Sequence, residues 1–249
     1  MPRPRLDQAL VERGFFPSRQ KAQRAILAGQ VRVAGRLARK PGEPVRPVDE
    51  IVLAAPERYV SRGGYKLEHG LRHFQVDARG LTAIDLGAST GGFTDCLLQE
   101  GAALVYAVDV GRGQLAWKLR RDPRVVVMEK TNARSLTPRS FPPPFAGADL
   151  LVADCSFISL KIILPPAVAL LRRCGRILAL VKPQFEAGKA EADKGAGVIT
   201  DPAIHARVLR ELKEFTGART ALQWRGETPS PLLGPAGNKE FLVLLEKET

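Results

Sequence analysis

The fold class is decided by the stretch Ile84-Asp-Leu-Gly-Ala-Ser-Thr-Gly-Gly-Phe-Thr-Asp-Cys96. It begins as a short apolar strand, passes through a loop that contains three glycines, and continues into a segment with the pattern of a helix. This order is typical of the first β-α unit of an open parallel sheet. Glycines let the backbone of such a loop approach a ligand closely, and the helix N-terminus that follows presents free amide groups. The stretch therefore predicts a ligand-binding loop.

The spacing of the glycines indicates the kind of ligand. Gly87, Gly91 and Gly92 do not fit the dinucleotide pattern G-x-G-x-x-G, and no Lys-Ser or Lys-Thr follows as in a phosphate-binding P-loop. We interpret the segment as an S-adenosylmethionine loop; the alternative is a tight strand-helix turn without a ligand. The predicted cofactor-binding residues of this segment are Asp85, Gly87, Ala88, Ser89, Thr90, Gly91, Gly92 and Phe93.

An acidic residue should follow the next strand, where it can accept hydrogen bonds from both ribose hydroxyls of the cofactor. Asp109 directly follows the apolar run at residues 104–108 and lies 24 positions after Asp85, close to the roughly 20-residue interval expected of such a unit. Asn132 follows the third strand, where such sheets usually place an adenine contact, although a simple turn asparagine fits nearly as well. We include both Asp109 and Asn132 among the predicted cofactor-binding residues.

The chain is strongly basic, and its basic residues are concentrated near the N-terminus. The 249 residues carry a net charge of +12 and have a pI near 10.1, which indicates a polyanionic partner without separating nucleic acid from acidic membrane. Residues 1–40 hold ten Lys or Arg and two acids, a local net of +8 that supplies two thirds of the total. A hydrophobic content of 45% is ordinary for a globular protein with a core.

Several classes of protein are not expected from this composition. The three cysteines include no C-x-x-C pair, so neither a disulfide scaffold nor a zinc site is indicated. His69 and His73 are four apart on a predicted helix but have no third ligand, so we expect no metal. The longest apolar stretch, residues 162–171, is ten residues interrupted by two prolines, and no apolar segment of a signal follows Met1. We therefore expect a soluble, cytoplasmic protein without a membrane partner.

Residues 1–58 have the pattern of a small α+β domain, with helices near residues 6–13 and 18–28 and strands near residues 31–33 and 51–53. The segment resembles the small RNA-binding domain shared by a ribosomal protein and many pseudouridine synthases. The resemblance lies in Arg5-Leu-Asp-Gln-Ala-Leu10, Ser18-Arg-x-x-Ala22 and Gly29-Gln-Val-Arg-Val-Ala-Gly35. In that family two helices and the following loop grip folded RNA through its phosphates. The RNA-binding residues that we expect are Arg5, Arg19, Lys21, Arg24, Arg32 and Arg36.

Residues 59–65, which include Gly63-Gly64, are interpreted as a linker, and residues 66–249 as a second domain. In the second domain apolar strands alternate with helices, and polar residues follow the strand ends. This pattern specifies an α/β fold with a doubly wound, Rossmann-like sheet. With the glycine loop, it predicts a sheet of the S-adenosylmethionine-dependent methyltransferase kind beside the small α+β RNA-binding domain.

Four charged residues lie at or beside predicted element ends that face the same crevice: Lys66, Asp154, Lys182 and Glu240. Ionisable groups in such a position are costly unless they are paired. Taken singly, each fits an ordinary surface charge. Because all four lie at one rim of one sheet, we favour a single cluster.

Five motifs, in order along nearly the whole chain, resemble those of the TlyA, or haemolysin A, family. They are Val60-Ser-Arg-Gly-Gly-Tyr-Lys-Leu67, Asp85-Leu-Gly-Ala-Ser-Thr-Gly-Gly-Phe-Thr-Asp95, Asp154-Cys-Ser-Phe-Ile-Ser-Leu160, Leu180-Val-Lys-Pro-Gln-Phe-Glu186 and Gly237-Asn-Lys-Glu-Phe-Leu242. The resemblance implies an FtsJ-type methyltransferase joined to a small RNA-binding domain. The implied reaction moves methyl from S-adenosylmethionine to the ribose 2′-hydroxyl of a cytidine, with ribosomal RNA or ribosomal subunits as the partner. The implied catalytic tetrad corresponds here to Lys66, Asp154, Lys182 and Glu240.

Elementary chemistry explains why such a reaction needs these residue types. A ribose hydroxyl is a poor nucleophile at neutral pH, so the site must orient it towards the sulfonium methyl and remove its proton. We assign Lys182 as the residue nearest that hydroxyl. A second ammonium at Lys66 favours loss of a proton from Lys182, whereas the two carboxylates favour the charged lysines, and the residues alone leave this balance open. Asp154 also has a favourable sign beside a cationic sulfonium, so we count it among the cofactor-binding residues.

Other functions fit the residues less well. Cys155 suggests a cytosine carbon-5 methyltransferase, but that class has Pro-Cys and Thr-Cys pairs that this chain lacks, so we expect Cys155 to pack in the core. Base amino methyltransferases have Asn-Pro-Pro-aromatic where this chain has Asp154-Cys-Ser-Phe157. Two alternatives remain: a catalytically silent RNA-binding or assembly factor, and a membrane-active haemolysin. The intact loop and tetrad argue against the first, and the missing membrane-spanning segment argues against the second.

Overall fold

The computed structural model describes residues 3–53, 57–188, 191, 193 and 195–248. The chain divides into two compact units, with the boundary between Arg58 and Tyr59. Each unit has a hydrophobic core of its own.

The first unit contains two helices and a small antiparallel sheet. The helices are α1 (Leu6–Glu12) and α2 (Arg19–Leu27), and the strands are β1 (Val31–Val33), β2 (Arg36–Leu37) and β3 (Ile51–Leu53), in the order β2-β1-β3. The backbone amide of Lys21 donates to the hydroxyl of Ser18, the residue before α2, as expected of a helix N-cap. Apolar residues three and four apart on the two helices fill the core of the unit.

The described part of the second unit is built on a seven-stranded sheet in the order β6-β5-β4-β7-β8-β10-β9. Neighbouring strands from β6 to β8 run parallel, whereas β10 is antiparallel to both of its neighbours. The strands are β4 (Thr82–Leu86), β5 (Leu104–Val108), β6 (Val125–Met128), β7 (Ala148–Ala153), β8 (Leu171–Val181), β9 (Leu222–Pro229) and β10 (Phe241–Lys247).

Helices cover both faces of this sheet. They are α3 (Gly63–His73), α4 (Gly92–Gln99), α5 (Trp117–Arg120), α6 (Leu160–Val168), α7 (Pro183–Glu186) and α8 (Pro202–Arg219). Successive residues of β8 alternate between the two core clusters, with Ile177 in the cluster that includes α6 and α8, and Leu178 in the cluster that includes α3 and α4. Burial on both faces explains why the central strands are predominantly apolar. The predicted doubly wound α/β fold is confirmed.

Some element boundaries differ from the prediction. The apolar pattern of the sequence indicates a strand over residues 176–181, but strand β8 already begins at Leu171. Residues 172–174 are exposed and include two arginines, so no continuous apolar pattern marks the start of the strand. The sequence pattern indicates a helix over residues 114–120, whereas helix α5 begins at Trp117.

The segment 59–65 differs from the linker that we expected. Tyr59 is buried at 2% exposure, and its ring lies 5.1 Å from that of Tyr65 in an edge-on arrangement. Helix α3 already begins at Gly63. A side chain on Gly64 would place its Cβ 2.2 Å from the Tyr59 ring, so this glycine serves close packing. The segment folds as part of the second unit.

Membrane-spanning helices and metal clusters are both absent from the part of the chain that the structure describes. No helix in it combines the length and the apolar composition that a bilayer crossing requires. No group of three or more His, Cys, Asp and Glu in it is arranged to hold a metal ion. His69 contacts the hydroxyl of Thr228 at 3.4 Å, and its ring stacks 6.0 Å from that of His73.

Candidate active site

The glycine loop joins the carboxyl ends of three strands. Gly87 follows β4 with φ at +80°, and a Cβ there would lie 2.8 Å from the carbonyl oxygen of Asp154 at the end of β7. The backbone amides of Gly87 and Ala88 both donate to the carbonyl of Val108 at the end of β5, at 2.9 and 3.1 Å. Only glycine combines this conformation with so close an approach. The loop is therefore held against β5 and β7.

Asp109 fixes the same loop from the next strand. One carboxylate oxygen accepts from the Ser89 amide at 2.8 Å, and the other accepts from the Gly111 amide at 2.7 Å. Each carboxylate oxygen can still accept a further hydrogen bond. Asn132 caps a short turn, since its side-chain oxygen accepts from the Arg134 amide at 3.0 Å, and it also lines the cleft beside Asp109.

Three adjoining cavities lie at this edge of the sheet, and Ser156 lines all of them. The Asp109 cleft has a volume of about 550 Å³ and is lined by residues that include Gly87, Ser89, Asp109, Gln114, Asn132 and Asp154. The Lys66 cleft has about 290 Å³ and is lined by residues that include Lys66, Ala88, Thr90, Gly92, Phe93 and Lys182. The Gln184 pocket has about 330 Å³ and is lined by residues that include Phe157, Lys182, Gln184, Phe185, Asn238 and Glu240.

The four residues of the predicted tetrad form two ion pairs at these cavities. Lys182 Nζ lies 2.6 Å from Asp154 Oδ1, outside the angles of a hydrogen bond, and it donates to Ser156 Oγ at 2.9 Å. Lys66 Nζ donates to Glu240 Oε2 at 2.5 Å across 174 positions of sequence. The side chains of the second pair are only 7% and 1% exposed. The structure thus gives each lysine one carboxylate, a pairing that the sequence left open.

This arrangement determines what Lys182 can do. An ammonium group has three N–H donors; Lys182 donates one of them to Ser156, and the carboxylate of Asp154 lies beside it as an ion-pair partner. A remaining donor is available to a group in the Lys66 cleft or the Gln184 pocket, both of which Lys182 lines. In its neutral form the amine can accept a proton there, and the carboxylate of Asp154 stabilises the resulting charge.

Asp85, the first predicted cofactor contact, is fully buried at 0% exposure. Thr94 Oγ1 donates to one of its carboxylate oxygens at 2.7 Å, which ties β4 to α4, while the other oxygen has no hydrogen bond among the described residues. Burial raises the pKa of Asp85 to about 7, and the carboxylates of Asp154 and Asp109 act in the same direction. Asp85 supports the loop from within the core.

Replacing Asp85 by asparagine should change how stability depends on pH. A raised pKa means that Asp85 keeps a proton in the folded chain that it loses in the unfolded chain above about pH 4. Its contribution to the wild-type free energy of unfolding therefore falls by about 1.4 kcal/mol per pH unit until the folded pKa near 7. The amide of the Asp85→Asn variant does not titrate. Unfolding in urea at pH 5, 6 and 7 measures both proteins. The free energy of unfolding of the variant minus that of the wild type should therefore become more positive as the pH rises. A constant difference would contradict this assignment.

Cys155 packs as expected. Its thiol donates to the carbonyl of Leu86 at 3.4 Å, and it contacts the core cluster on its side of the sheet. Burial raises the pKa of Cys155 to about 12, with Asp154 acting in the same direction. A thiolate nucleophile is therefore strongly disfavoured at neutral pH.

Phe157 is a site residue that the sequence patterns did not single out. It is 87% exposed and has φ at +64°, a conformation that a bulky side chain rarely adopts. Its ring lies 5.2 Å from that of Phe185, and it lines both the Asp109 cleft and the Gln184 pocket. The only signal in the sequence was its place in the motif that begins at Asp154.

In the first unit, all six predicted RNA-binding residues are exposed. The sequence did not reveal the role of Asp7, whose side chain is fully buried and accepts hydrogen bonds from Arg5, Arg19 and Gln23 at 2.7–3.2 Å. The guanidinium of Arg5 holds the pKa of Asp7 well below its usual range. A cleft of about 1240 Å³ in this unit is lined by residues that include Arg3, Arg5, Arg36, Arg39 and Lys40.

Comparison with protein families assigns both units. Residues 59–247 match the FtsJ-like methyltransferase family, and residues 4–51 match the S4 domain. This chain belongs to the FtsJ-like methyltransferase family. The S4 domain of this FtsJ-like methyltransferase lies within its first unit.

Known proteins resemble this FtsJ-like methyltransferase over nearly its whole length. YqxC of Bacillus subtilis, provisionally named an rRNA methyltransferase, is 50% identical over 97% of this chain and 85% of its own. TlyA of Mycobacterium tuberculosis, named a 16S/23S rRNA (cytidine-2′-O)-methyltransferase, is 47% identical over 99% of this chain and 91% of its own. A solved structure from Streptococcus thermophilus, provisionally named a hemolysin, has a TM-score of 0.76 and 43% identity, covering 100% of this chain and 90% of its own. The resemblance to the TlyA family is confirmed.

Proposed function

We propose that this protein transfers the methyl group of S-adenosylmethionine to the ribose 2′-hydroxyl of a cytidine in ribosomal RNA. The observation that carries the proposal is a set of two ion pairs beside cavities bordered by the glycine loop: Lys182 with Asp154, which is partly buried, and Lys66 with Glu240, which is buried. The name of the M. tuberculosis relative, which states this reaction for that protein, supports the substrate.

The residues at the Asp109 cleft fit S-adenosylmethionine. Gly87 lines the cleft and lets the loop lie against the Asp154 carbonyl, and Asp109 and Asp154 are carboxylates that suit ribose hydroxyls and a cationic sulfonium. The residues that would hold the cofactor are Gly87, Ala88, Ser89, Thr90, Gly91, Gly92, Phe93, Asp109, Asn132 and Asp154, with Asp85 supporting the loop. When bound, the cofactor supplies an electrophilic methyl carbon.

The roles of the tetrad follow from its pairing. Lys182 approaches the ribose hydroxyl and takes its proton as the oxygen becomes a nucleophile. Asp154 and Ser156 fix the position of Lys182 Nζ and so orient the hydroxyl. Lys66 and Glu240 form the second pair, in which the carboxylate offsets the charge of a buried ammonium that lines the Lys66 cleft together with Lys182.

The first unit supplies the RNA contacts of the proposal. An S4 domain with exposed arginines and lysines attracts phosphates regardless of base sequence. Asp7 holds Arg5 and Arg19 in fixed positions, which reduces the entropy lost when they bind a phosphate. Arg5, Arg19, Lys21, Arg24, Arg32 and Arg36 are the proposed contacts.

Gly87→Ala should weaken the binding of S-adenosylmethionine at least about tenfold, because the positive φ costs about 1–2 kcal/mol and the new Cβ pushes against the Asp154 carbonyl. Calorimetric titration measures the affinity. Gly80→Ala is the matched control, since Gly80 has φ at +72° and no atom lies within 4 Å of the position that a Cβ would take. Equal loss of affinity in both variants would show that the contact with Asp154 is irrelevant.

The direct test of the proposed function is a map of ribose methylation. Ribosomal RNA from cells that lack the protein should be missing a 2′-O-methyl group at one or more cytidines that carry it in the parent strain. Restoring the gene should restore the methyl group, whereas a gene with Lys182→Ala should not. An unchanged methylation map would contradict the proposal.

A further inference from the structure

The Gln184 pocket adjoins the tetrad but has a lining of a different kind. Ser156 and Lys182 form its border with the Lys66 cleft, and the rings of Phe157 and Phe185 lie 5.2 Å apart on its wall. Its volume of about 330 Å³ lies within the range of small-molecule sites. A flat, partly apolar group that enters the pocket therefore lies beside Lys182.

Most polar side chains of the pocket are already satisfied. Asn238 accepts from the Ile199 amide at 2.9 Å and donates to the Gly197 carbonyl at 2.8 Å. Ser156 accepts from Lys182. By contrast, Gln184 Oε1 and Glu240 Oε1 are buried and have no hydrogen-bond partner in the described part of the chain. Buried acceptors of this kind are rare in folded proteins, so a ligand that donates hydrogen bonds fits here.

We propose that the pocket receives the base of the target nucleotide and that Gln184 Oε1 accepts a hydrogen bond from the 4-amino group of cytosine. The inference rests on the proposed function and adds the residue that selects the base. Cytosine carries an amino donor where uracil carries a carbonyl oxygen. An acceptor at Gln184 therefore favours cytidine, and uridine leaves two oxygens facing each other. Glu240 Oε1, the second unpaired acceptor, is assigned to a ribose hydroxyl.

The test compares methyl transfer to two substrates. Ribosomal subunits are prepared with the natural target cytidine, identified by mapping, and with uridine at that position. Initial rates on both are measured for the wild type, Gln184→Leu, Gln184→Glu and the control Gln223→Leu, which removes an exposed glutamine on β9. Calorimetry with S-adenosylmethionine establishes that each variant folds and binds the cofactor.

The wild type should prefer cytidine, and Gln184→Leu should reduce the cytidine-to-uridine rate ratio about tenfold, the discrimination typical of one good base contact. Gln184→Glu keeps an acceptor and should keep or increase the ratio, and Gln223→Leu should not change it. An unchanged ratio in Gln184→Leu would overturn the role of Gln184 while leaving 2′-O-methylation of cytidine intact. A Gln184→Glu ratio as low as that of Gln184→Leu would also overturn it. Absence of wild-type methylation would instead overturn the proposed function itself.

Discussion

Lys182→Ala is expected to lower the rate of methyl transfer to ribosomal RNA by about 10²–10⁴-fold, the range that a positioned acid-base group supplies. Lys182 lies 2.6 Å from Asp154 and lines both the Lys66 cleft and the Gln184 pocket, so its loss removes the proposed proton acceptor. The measurement is transfer of labelled methyl to ribosomal subunits at saturating S-adenosylmethionine.

The affinity for S-adenosylmethionine should change little, because the glycine loop and Asp109 remain in place. Lys213→Ala is the matched control, since it removes an exposed lysine on α8 and should leave the rate at the wild-type level. A Lys182→Ala enzyme with full activity would remove Lys182 from the mechanism. If Lys182→Ala lost cofactor binding as well as activity, the role of Lys182 would be structural.

Glu240→Ala is expected to lower the free energy of unfolding by about 3–5 kcal/mol, because it leaves the ammonium of Lys66 buried without its partner. The side chains of this pair are 7% and 1% exposed and lie 2.5 Å apart. Urea unfolding monitored by circular dichroism measures the effect. Arg225→Ala, which breaks the more exposed Arg225–Glu246 pair, is the control and should cost less than about 1 kcal/mol.

The double variant Lys66→Met, Glu240→Leu separates stability from activity. Replacing both charges of a buried pair by apolar side chains of similar size is often neutral or stabilising, so most of the stability lost in Glu240→Ala should return. Methyl transfer should stay low, because both members of the pair are proposed to act on the reaction. Recovery of full activity by the double variant would show that the pair serves only to stabilise the fold.

Local patterns were sufficient to predict the second unit. The glycine loop after β4 and Asp109 after β5 follow from spacing within about 25 residues, a range over which strand, loop and helix determine one another. The fold class follows because both faces of the sheet are covered and the central strands are predominantly apolar.

Contacts between distant parts of the chain were harder to predict. The resemblance to a known family grouped Lys66 with Glu240, but nothing in the residues indicated which lysine pairs with which carboxylate. Gly64 was interpreted as part of a linker, since a glycine that is needed for packing against Tyr59 has the same sequence signal as one in a flexible segment. The unpaired oxygen of Gln184 depends on what surrounds it, and so only the structure reveals it.

In the proposed reaction the methyl group reaches a ribose oxygen, not a base. Ribosomal subunits treated with the protein and methyl-labelled S-adenosylmethionine test it most directly, because alkali cannot cleave RNA after a 2′-O-methylated nucleotide. We expect the label to appear in an alkali-resistant dinucleotide that yields 2′-O-methylcytidine on enzymatic digestion. Label recovered in mononucleotides as a methylated cytosine base would contradict this claim.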